Sequence, residues 1–277
     1  MLDDILLRLG IRLDYTRELI VASLVLIRTM TMLFLTPFLG GKLAPGVVKM
    51  GFGGILSLLL WPTARASLTG PIPVEAFPVL VLFMKEVFIG VVIGFINMEA
   101  FFIMEIAGRL IDTFRGTAMA EVMVPHSQGR STVVGDMYYH LLLIFFMALG
   151  GHNIFLEAYA YSFQLIPVDS GFQMAWATSG FFEFMMKMTN EMLLLAVLLA
   201  LPVGAATLIT DIVFGLLNRV APQMNAYFMA MPVKAMGGLA VTLVIMDAFY
   251  ARIREYVVWS LQAVEHAIEL LGGRPIL

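Results

Sequence analysis

The stretch from Phe77 to Ile103 is apolar throughout apart from Lys85, Glu86, Asn97 and Glu99, and it exceeds the roughly 20 residues of helix that cross a bilayer core. Lys85 and Glu86 fall near its middle. On an insertion scale each central charge costs about 2.5 to 3.5 kcal/mol, while the fourteen large apolar residues between Phe77 and Phe95 return about 0.3 to 0.6 kcal/mol each. The balance is near zero, so this helix requires protein around it. Adjacent side chains diverge by about 100° on a helix, so Lys85 and Glu86 are expected not to neutralise each other, and each needs a partner of its own.

The rest of the chain makes a water-facing exterior untenable. Of its 277 residues 60% are hydrophobic and 13% charged, against about 25% charged in soluble domains. This excludes a soluble globular protein and indicates an integral membrane protein. With a net charge of −3 and no Lys/Arg-rich run, the chain offers no surface for nucleic acid. It has no cysteine, hence no disulfide, thiolate metal site or Cys nucleophile. The first residues mix Asp3, Asp4 and Asp14 with Arg8, Arg12 and Arg17. That order differs from a cleaved signal, and the N-terminus is expected to be retained.

Six apolar stretches read as helices: Leu19 to Leu35, Gly51 to Trp61, Phe77 to Ile103, Met137 to Leu149, Met192 to Leu217 and Ala226 to Tyr250. The second and fourth are too short to span, which predicts re-entrant or protein-buried hairpins. Turn residues punctuate Thr36 to Gly46, Trp61 to Pro73 and Val124 to Ser131. Pro202 and Pro232 lie inside apolar stretches and predict kinks or breaks. Pro45 to Gly54 and Pro232 to Gly238 echo one another as two Pro-Lys-Gly hairpins. The fold class is all-α, built of long broken helices and short re-entrant hairpins. Lys and Arg are too evenly distributed to set orientation.

Further charges sit within or beside the apolar runs. Glu105, Arg109 and Asp112 recur at i, i+4 and i+7 and form a polar stripe, with Glu99 one and a half turns earlier. Arg28, Asp211 and Lys234 complete the set. Such charges either pair within a fold shielded from lipid or mark an ion path. Gly90 and Gly94 form a GxxxG that admits a close helix neighbour. Met119 and Met123, one turn apart beside the stripe, are flexible enough to close around a passage. No phosphate loop, zinc helix or nucleophile elbow occurs. Gly135-Asp136 and Ala177-Thr178-Ser179-Gly180 only partly match intramembrane protease motifs. His126, His140, His152 and His266 form no helical ligand pair. No enzyme, metal or cofactor is expected.

Five segments in order resemble the T subunit of the bacterial type III secretion export apparatus (SctT), whose flagellar counterpart is FliR. They are Pro37 to Gly51, Lys85 to Phe95, Ala107 to Pro125, Gly150 to Val168 and Asn218 to Gly238, and together they cover most of the chain. The last, NRVAPQMNAYFMAMPVKAMGG, carries Asn218, Arg219, Pro222, Gln223, Asn225 and Pro232. Its wording looks more like the virulence injectisome than the flagellar branch. Phe114 and Val124 stand where the family often has Gln and an acidic residue.

The resemblance implies a non-enzymatic subunit of a pseudo-helical pore in the bacterial inner membrane, multi-pass and partly raised toward the periplasm. Its partners would be the small R and S subunits (SctR, SctS), the U-type switch subunit, the V-type export gate and secreted protein substrates. By similarity a plug segment would include Phe114, Gly116, Met119, Ala120, Met123 and Pro125. Lys85, Glu86, Glu99, Glu105, Arg109, Asp112 and Lys234 would be buried or interfacial charges. The whole chain reads as one export-gate domain, with 1–75, 76–135 and 136–277 as its parts. A proton- or ion-coupled secondary transporter is the competing reading, although the paired repeats expected of one are not evident.

Overall fold

The structure is a computed structural model and describes residues 15–40, 44–117, 132–171 and 180–272. Among these residues every regular element is a helix: α1 (Tyr15–Leu35), the one-turn α2 (Pro37–Gly40), α3 (Gly46–Ala66), α4 (Ala76–Phe114), α5 (Val133–Ala148), α6 (Gly151–Leu165), α7 (Phe181–Val220), α8 (Ala226–Val244) and α9 (Met246–Leu271). Helices α1, α3, α4, α7 and α8 are each long and apolar enough to cross a membrane. Helices α5 and α6 form a bent pair, meeting at 73°. The protein is an all-α, multi-pass membrane protein.

The chain forms two compact units. The first holds Met1–Met98, His152–Phe184 and Leu261–Leu277; the second holds Glu99–Gly151 and Met185–Ser260. Helix α4 runs from one into the other.

In the first unit α1 buries Val21, Leu24, Val25, Arg28, Thr29, Met32 and Leu33. This is a stripe of i, i+3, i+4 spacing along one face. Glycines let other backbones reach it. A Cβ at Gly90 would stand 2.7 Å from the Arg28 carbonyl oxygen, and one at Gly94 3.0 Å from that of Met32. The GxxxG of α4 is therefore a notch that receives α1. Gly53 of α3 instead makes room for a side chain, since a Cβ there would stand 2.7 Å from Met30 Sδ. Tyr159 of α6 donates to Thr29 at 2.9 Å, which ties α6 to α1 through a buried hydrogen bond.

In the second unit α5 supplies rings to α4 and α9. Phe101 meets Phe146 edge-on at 5.5 Å, Tyr138 stacks on Phe249 at 3.9 Å, and Phe145 meets Tyr250 at 4.8 Å. The bend between α5 and α6 turns on Gly150, whose φ of 75° lies in the left-handed region that side chains avoid.

Three sequence expectations change. Helix α3 is 21 residues long and largely exposed, not a short buried hairpin. It begins straight after Pro45 and runs through Pro62. Proline removes one donor and bends a helix, but in apolar surroundings leaving the helix would orphan many more backbone groups. For the same reason neither Pro-Lys-Gly echo is a hairpin: the first is the opening of α3, and the second lies inside α8. Of the kink or break expected at Pro202 and Pro232, the break does not occur: α7 and α8 continue through both positions. The short fourth stretch does belong to a bent pair, as expected.

Packing of α1 into the glycine notch makes a direct prediction. Gly90→Leu should eliminate accumulation of the folded chain in membranes, because its Cβ meets backbone that cannot move aside. Gly54→Ala, where a Cβ meets open space, should raise the melting temperature slightly, by the roughly 1 kcal/mol that alanine gains over glycine in a helix. Thermal melting in detergent distinguishes the two.

Candidate functional site

The charges in the apolar helices converge on two places, one in each unit. In the first unit α1 carries Arg28, α4 carries Lys85 and Glu86, and the segment after α6 carries the backbone they meet. All three side chains are 0% exposed. Arg28 makes a two-pronged contact with the Glu86 carboxylate, through Nε and through Nη2 at 3.0 Å. Arg28 Nη2 also donates to the Ile166 carbonyl at 2.9 Å, Nη1 reaches Ser162 Oγ at 3.3 Å, and the guanidinium lies 4.2 Å over the Phe163 ring. Planar donors satisfied on several sides suit arginine to a site without water.

Lys85 Nζ donates to the carbonyls of Pro167 at 2.7 Å, Val168 at 3.1 Å and Ser170 at 2.8 Å. It also lies 2.9 Å from Glu86 Oε1. The expectation that the two neighbours do not pair is thus overturned. Their Cα–Cβ bonds diverge, but two long side chains bend toward each other and share an anion. The companion expectation holds, since each has a separate partner. Asp169 in the same segment accepts from the Thr69 amide at 2.8 Å, the Gly70 amide at 2.6 Å and the Thr69 hydroxyl at 2.8 Å. Charge therefore fixes the chain after α6 to the first unit.

The second place is the C-terminal end of α4. Glu105 and Arg109 form the i, i+4 pair that the sequence indicates. Asp112, the third member of the stripe, turns elsewhere: its Oδ1 accepts from Arg115 Nη1 at 3.0 Å, and its Oδ2 accepts from the Val134 amide, in the first turn of α5, at 2.8 Å. A carboxylate at a helix N-terminus satisfies an orphan donor and complements the dipole. Arg115 Nε donates to the Ala235 carbonyl of α8 at 3.0 Å. Gly116, with φ at 76°, ends the helix.

Glycines position this end on three helices. Gly108 lies so close to Gly135 of α5 that a Cβ on it would strike backbone. A Cβ at Gly204 of α7 would come within 3.0 Å of the Phe114 ring, and one at Gly238 of α8 would strike the Arg115 stem. Phe114 is 39% exposed, whereas Asp112 and Arg115 are 3% and 9% exposed.

Other expected residues lie apart from these clusters. Glu99 is buried and meets the Thr189 hydroxyl; its other oxygen has no partner among the described residues. Burial and the nearby Glu99 push the Tyr256 phenol of α9 upward from its ordinary pKa. Lys234 pairs with Asp211, bridging α8 and α7. Asn218 and Arg219 end α7, Pro222 and Gln223 form the turn, and Asn225 precedes α8; all five are exposed, as is Pro232. Met119, Ala120, Met123 and Pro125 lie outside the described residues. Arg115, Gly204 and Gly238 were not singled out from sequence, although Arg115 stands i+3 from Asp112. Among the described residues no group of three His, Asp or Glu forms a metal site.

The Arg28–Glu86 pair predicts an asymmetric response to substitution. Glu86→Ala strands two buried cations and should cost about 3–5 kcal/mol, whereas Arg28→Met with Glu86→Met together should cost less than the sum of the single changes. Denaturation of the purified chain in detergent measures both.

Comparison with known proteins agrees with the geometry. Residues 19–258 match the family described as bacterial export proteins, family 1. The chain is 26% identical to flagellar biosynthetic protein FliR of Bacillus subtilis, covering 90% of this chain and 95% of that protein. It is 30% identical to Yop proteins translocation protein T of Yersinia pestis, over 79% of this chain and 83% of that one. With secretion system apparatus protein SsaT of Salmonella typhimurium it shares 26% identity, over 87% and 92%. A match this extensive, on a multi-pass helical chain, is decisive: the protein belongs to family 1 of the bacterial export proteins, with a flagellar biosynthetic protein, a Yop translocation protein and a secretion system apparatus protein among its homologues.

Proposed function

We propose that this chain is a structural and gating subunit of a type III protein export apparatus in the bacterial inner membrane. With small R- and S-type membrane subunits it forms the portal for unfolded substrates, and it contacts the U-type switch subunit and the V-type export gate. The observation that carries this reading is the length of α7. Its 40 residues extend about 60 Å at 1.5 Å per residue, twice the roughly 30 Å of a bilayer core. Exposed apolar side chains run from Phe182 and Met186, among the exposed Glu183, Lys187 and Glu191, through Leu193, Leu194 and Leu198 to Leu208, Ile212 and Leu216. The stretch from Leu193 to Leu216 alone measures about 36 Å at 1.5 Å per residue, and Phe182 and Met186 lie beyond it, so a bilayer core covers most but not all of the apolar side chains. Those left outside it need apolar protein, which a neighbouring subunit supplies, and this favours a chain partly raised toward the periplasm.

On this reading the whole chain is a single export-gate domain. The exposed turn with Asn218, Arg219, Pro222, Gln223 and Asn225, together with Pro232, faces partner subunits. Phe114, Gly116, Met119, Ala120, Met123 and Pro125 belong to the plug of the passage. The wording of Ala230 to Gly238 favours the injectisome branch, while the relatives include both Yop proteins translocation protein T and the flagellar biosynthetic protein FliR. A small-molecule transporter would need charges free to couple to an ion. Lys85 and Glu86 are engaged with Arg28 and with backbone carbonyls.

Because the chain has no cysteine, single cysteines placed along the exposed face of α7 test the reading directly. Positions over about 30 Å should behave as lipid-facing, and the remainder should cross-link to other subunits. A chain that purifies alone, with every position in lipid, overturns it. For the plug, Met119→Gly with Met123→Gly should raise small-ion leak several-fold in membranes holding the assembled complex. Unchanged conductance removes that assignment.

A further inference from the structure

Residues of α7 and α9 line two open cavities in the second unit. One, of about 250 Å³, lies beside Glu191, Met192, Tyr256 and Trp259. The other, of about 400 Å³, lies beside Leu199, Pro202, Phe249, Arg252 and Ile245, the residue just before α9. Leu195 and Leu198 line both, so the two join into one groove. From Glu191 to Pro202 the groove follows α7 for about 16 Å at 1.5 Å per residue. A lipid tail occupies one leaflet, about 15 Å, half of the roughly 30 Å hydrocarbon core. Spread over that length, the cavities leave room for one tail and are too narrow for a helix about 10 Å across.

The groove has one polar end. There Tyr256 and Trp259 stack at 5.9 Å, Lys187 and Glu191 are exposed on α7, and Glu255 is exposed on α9. Aromatic rings beside charges are the pattern of a membrane–water boundary. The other end closes on Pro202, Ile245 and Phe249. Arg252 flanks this deeper half, yet its Nη1 lies 3.1 Å from Glu255, one turn nearer the polar end, so the side chain snorkels toward water. We infer that the groove holds one tail of a phospholipid whose headgroup, at the polar end, carries both a phosphate and an amine. Two cations, Lys187 and Arg252, stand there with two carboxylates, Glu191 and Glu255. A phosphate alone would meet as much repulsion as attraction, whereas a headgroup of both signs uses all four, and the Trp259 face adds to the attraction for an ammonium. Lipid reaches this groove whatever larger assembly the chain joins, so the site stands apart from the export role.

The test places the full chain in vesicles doped with a phosphatidylethanolamine that bears a photoactivatable group on one tail, and reads the labelled positions by peptide mass spectrometry. Label should concentrate on residues 191–202 and 245–259. Native mass spectrometry of the chain extracted in mild detergent should show phosphatidylethanolamine retained several-fold more than phosphatidylglycerol. Leu198→Trp, which fills the junction of the two cavities, should cut the label several-fold, whereas Ile212→Trp, on the exposed face of α7 beyond the groove, should leave it unchanged. Arg252→Met should lower retention several-fold, and Glu191→Gln with Glu255→Gln should erase the preference over phosphatidylglycerol. Label spread evenly along the exposed face of α7 in the unsubstituted chain is ordinary lipid contact and overturns the site, and that readout needs no variant to fold. Undiminished label in Leu198→Trp, or equal retention of the two lipids by the unsubstituted chain, also overturns it. So does a Leu198→Cys chain that cross-links there to another polypeptide, since protein would then fill the groove.

Discussion

A carboxylate held between two cations, out of reach of water, is the interaction on which the first unit is built. Glu86 is shared by Arg28 of α1 and Lys85 of α4, and both cations then bind backbone carbonyls after α6. An unpaired ion in such a place is prohibitively costly, so the three segments are obliged to meet in one register. Apolar packing alone would let helices slide, since leucine contacts one hydrocarbon surface much as it does another. Charge and glycine together remove that freedom: the ions set the height of α1 on α4, and Gly90 and Gly94 set how near it comes.

The second unit solves the same problem at a helix terminus. The last turns of α4 fit into glycine gaps on α5, α7 and α8, and Asp112 and Arg115 add directional bonds at the same spot. Close backbone approach supplies proximity, and the polar pair supplies uniqueness. Both units thus use buried charge to hold a segment that follows or precedes a helix.

Much of this was legible in the residues. The apolar runs gave four of the five described spanning helices in outline, α3 having been read as too short to span; the GxxxG gave the close approach at α4, and Glu105 with Arg109 gave a helical pair. The requirement for partners followed from an energy balance at Lys85 and Glu86. What sequence could not supply was the identity of those partners, because Arg28 and residues 166–170 are remote in the chain. Proline was overweighted: Pro62, Pro202 and Pro232 suggested interruptions, yet intact helix is the cheapest way to satisfy backbone groups without water. The i, i+4, i+7 stripe was also misleading at its far end. Asp112 serves the chain beyond the helix, and only Gly116 hinted that the helix was about to stop.

Helix α7 exposes oily side chains on both halves of a rod that no bilayer can cover end to end. Under the proposed role in an export assembly, a newly made copy is incomplete until neighbours arrive, sticky to itself and conspicuous to membrane proteases. Its cellular abundance is then governed by stoichiometry: surplus copies have nowhere to hide their flanks, and the supply of companions caps how many endure.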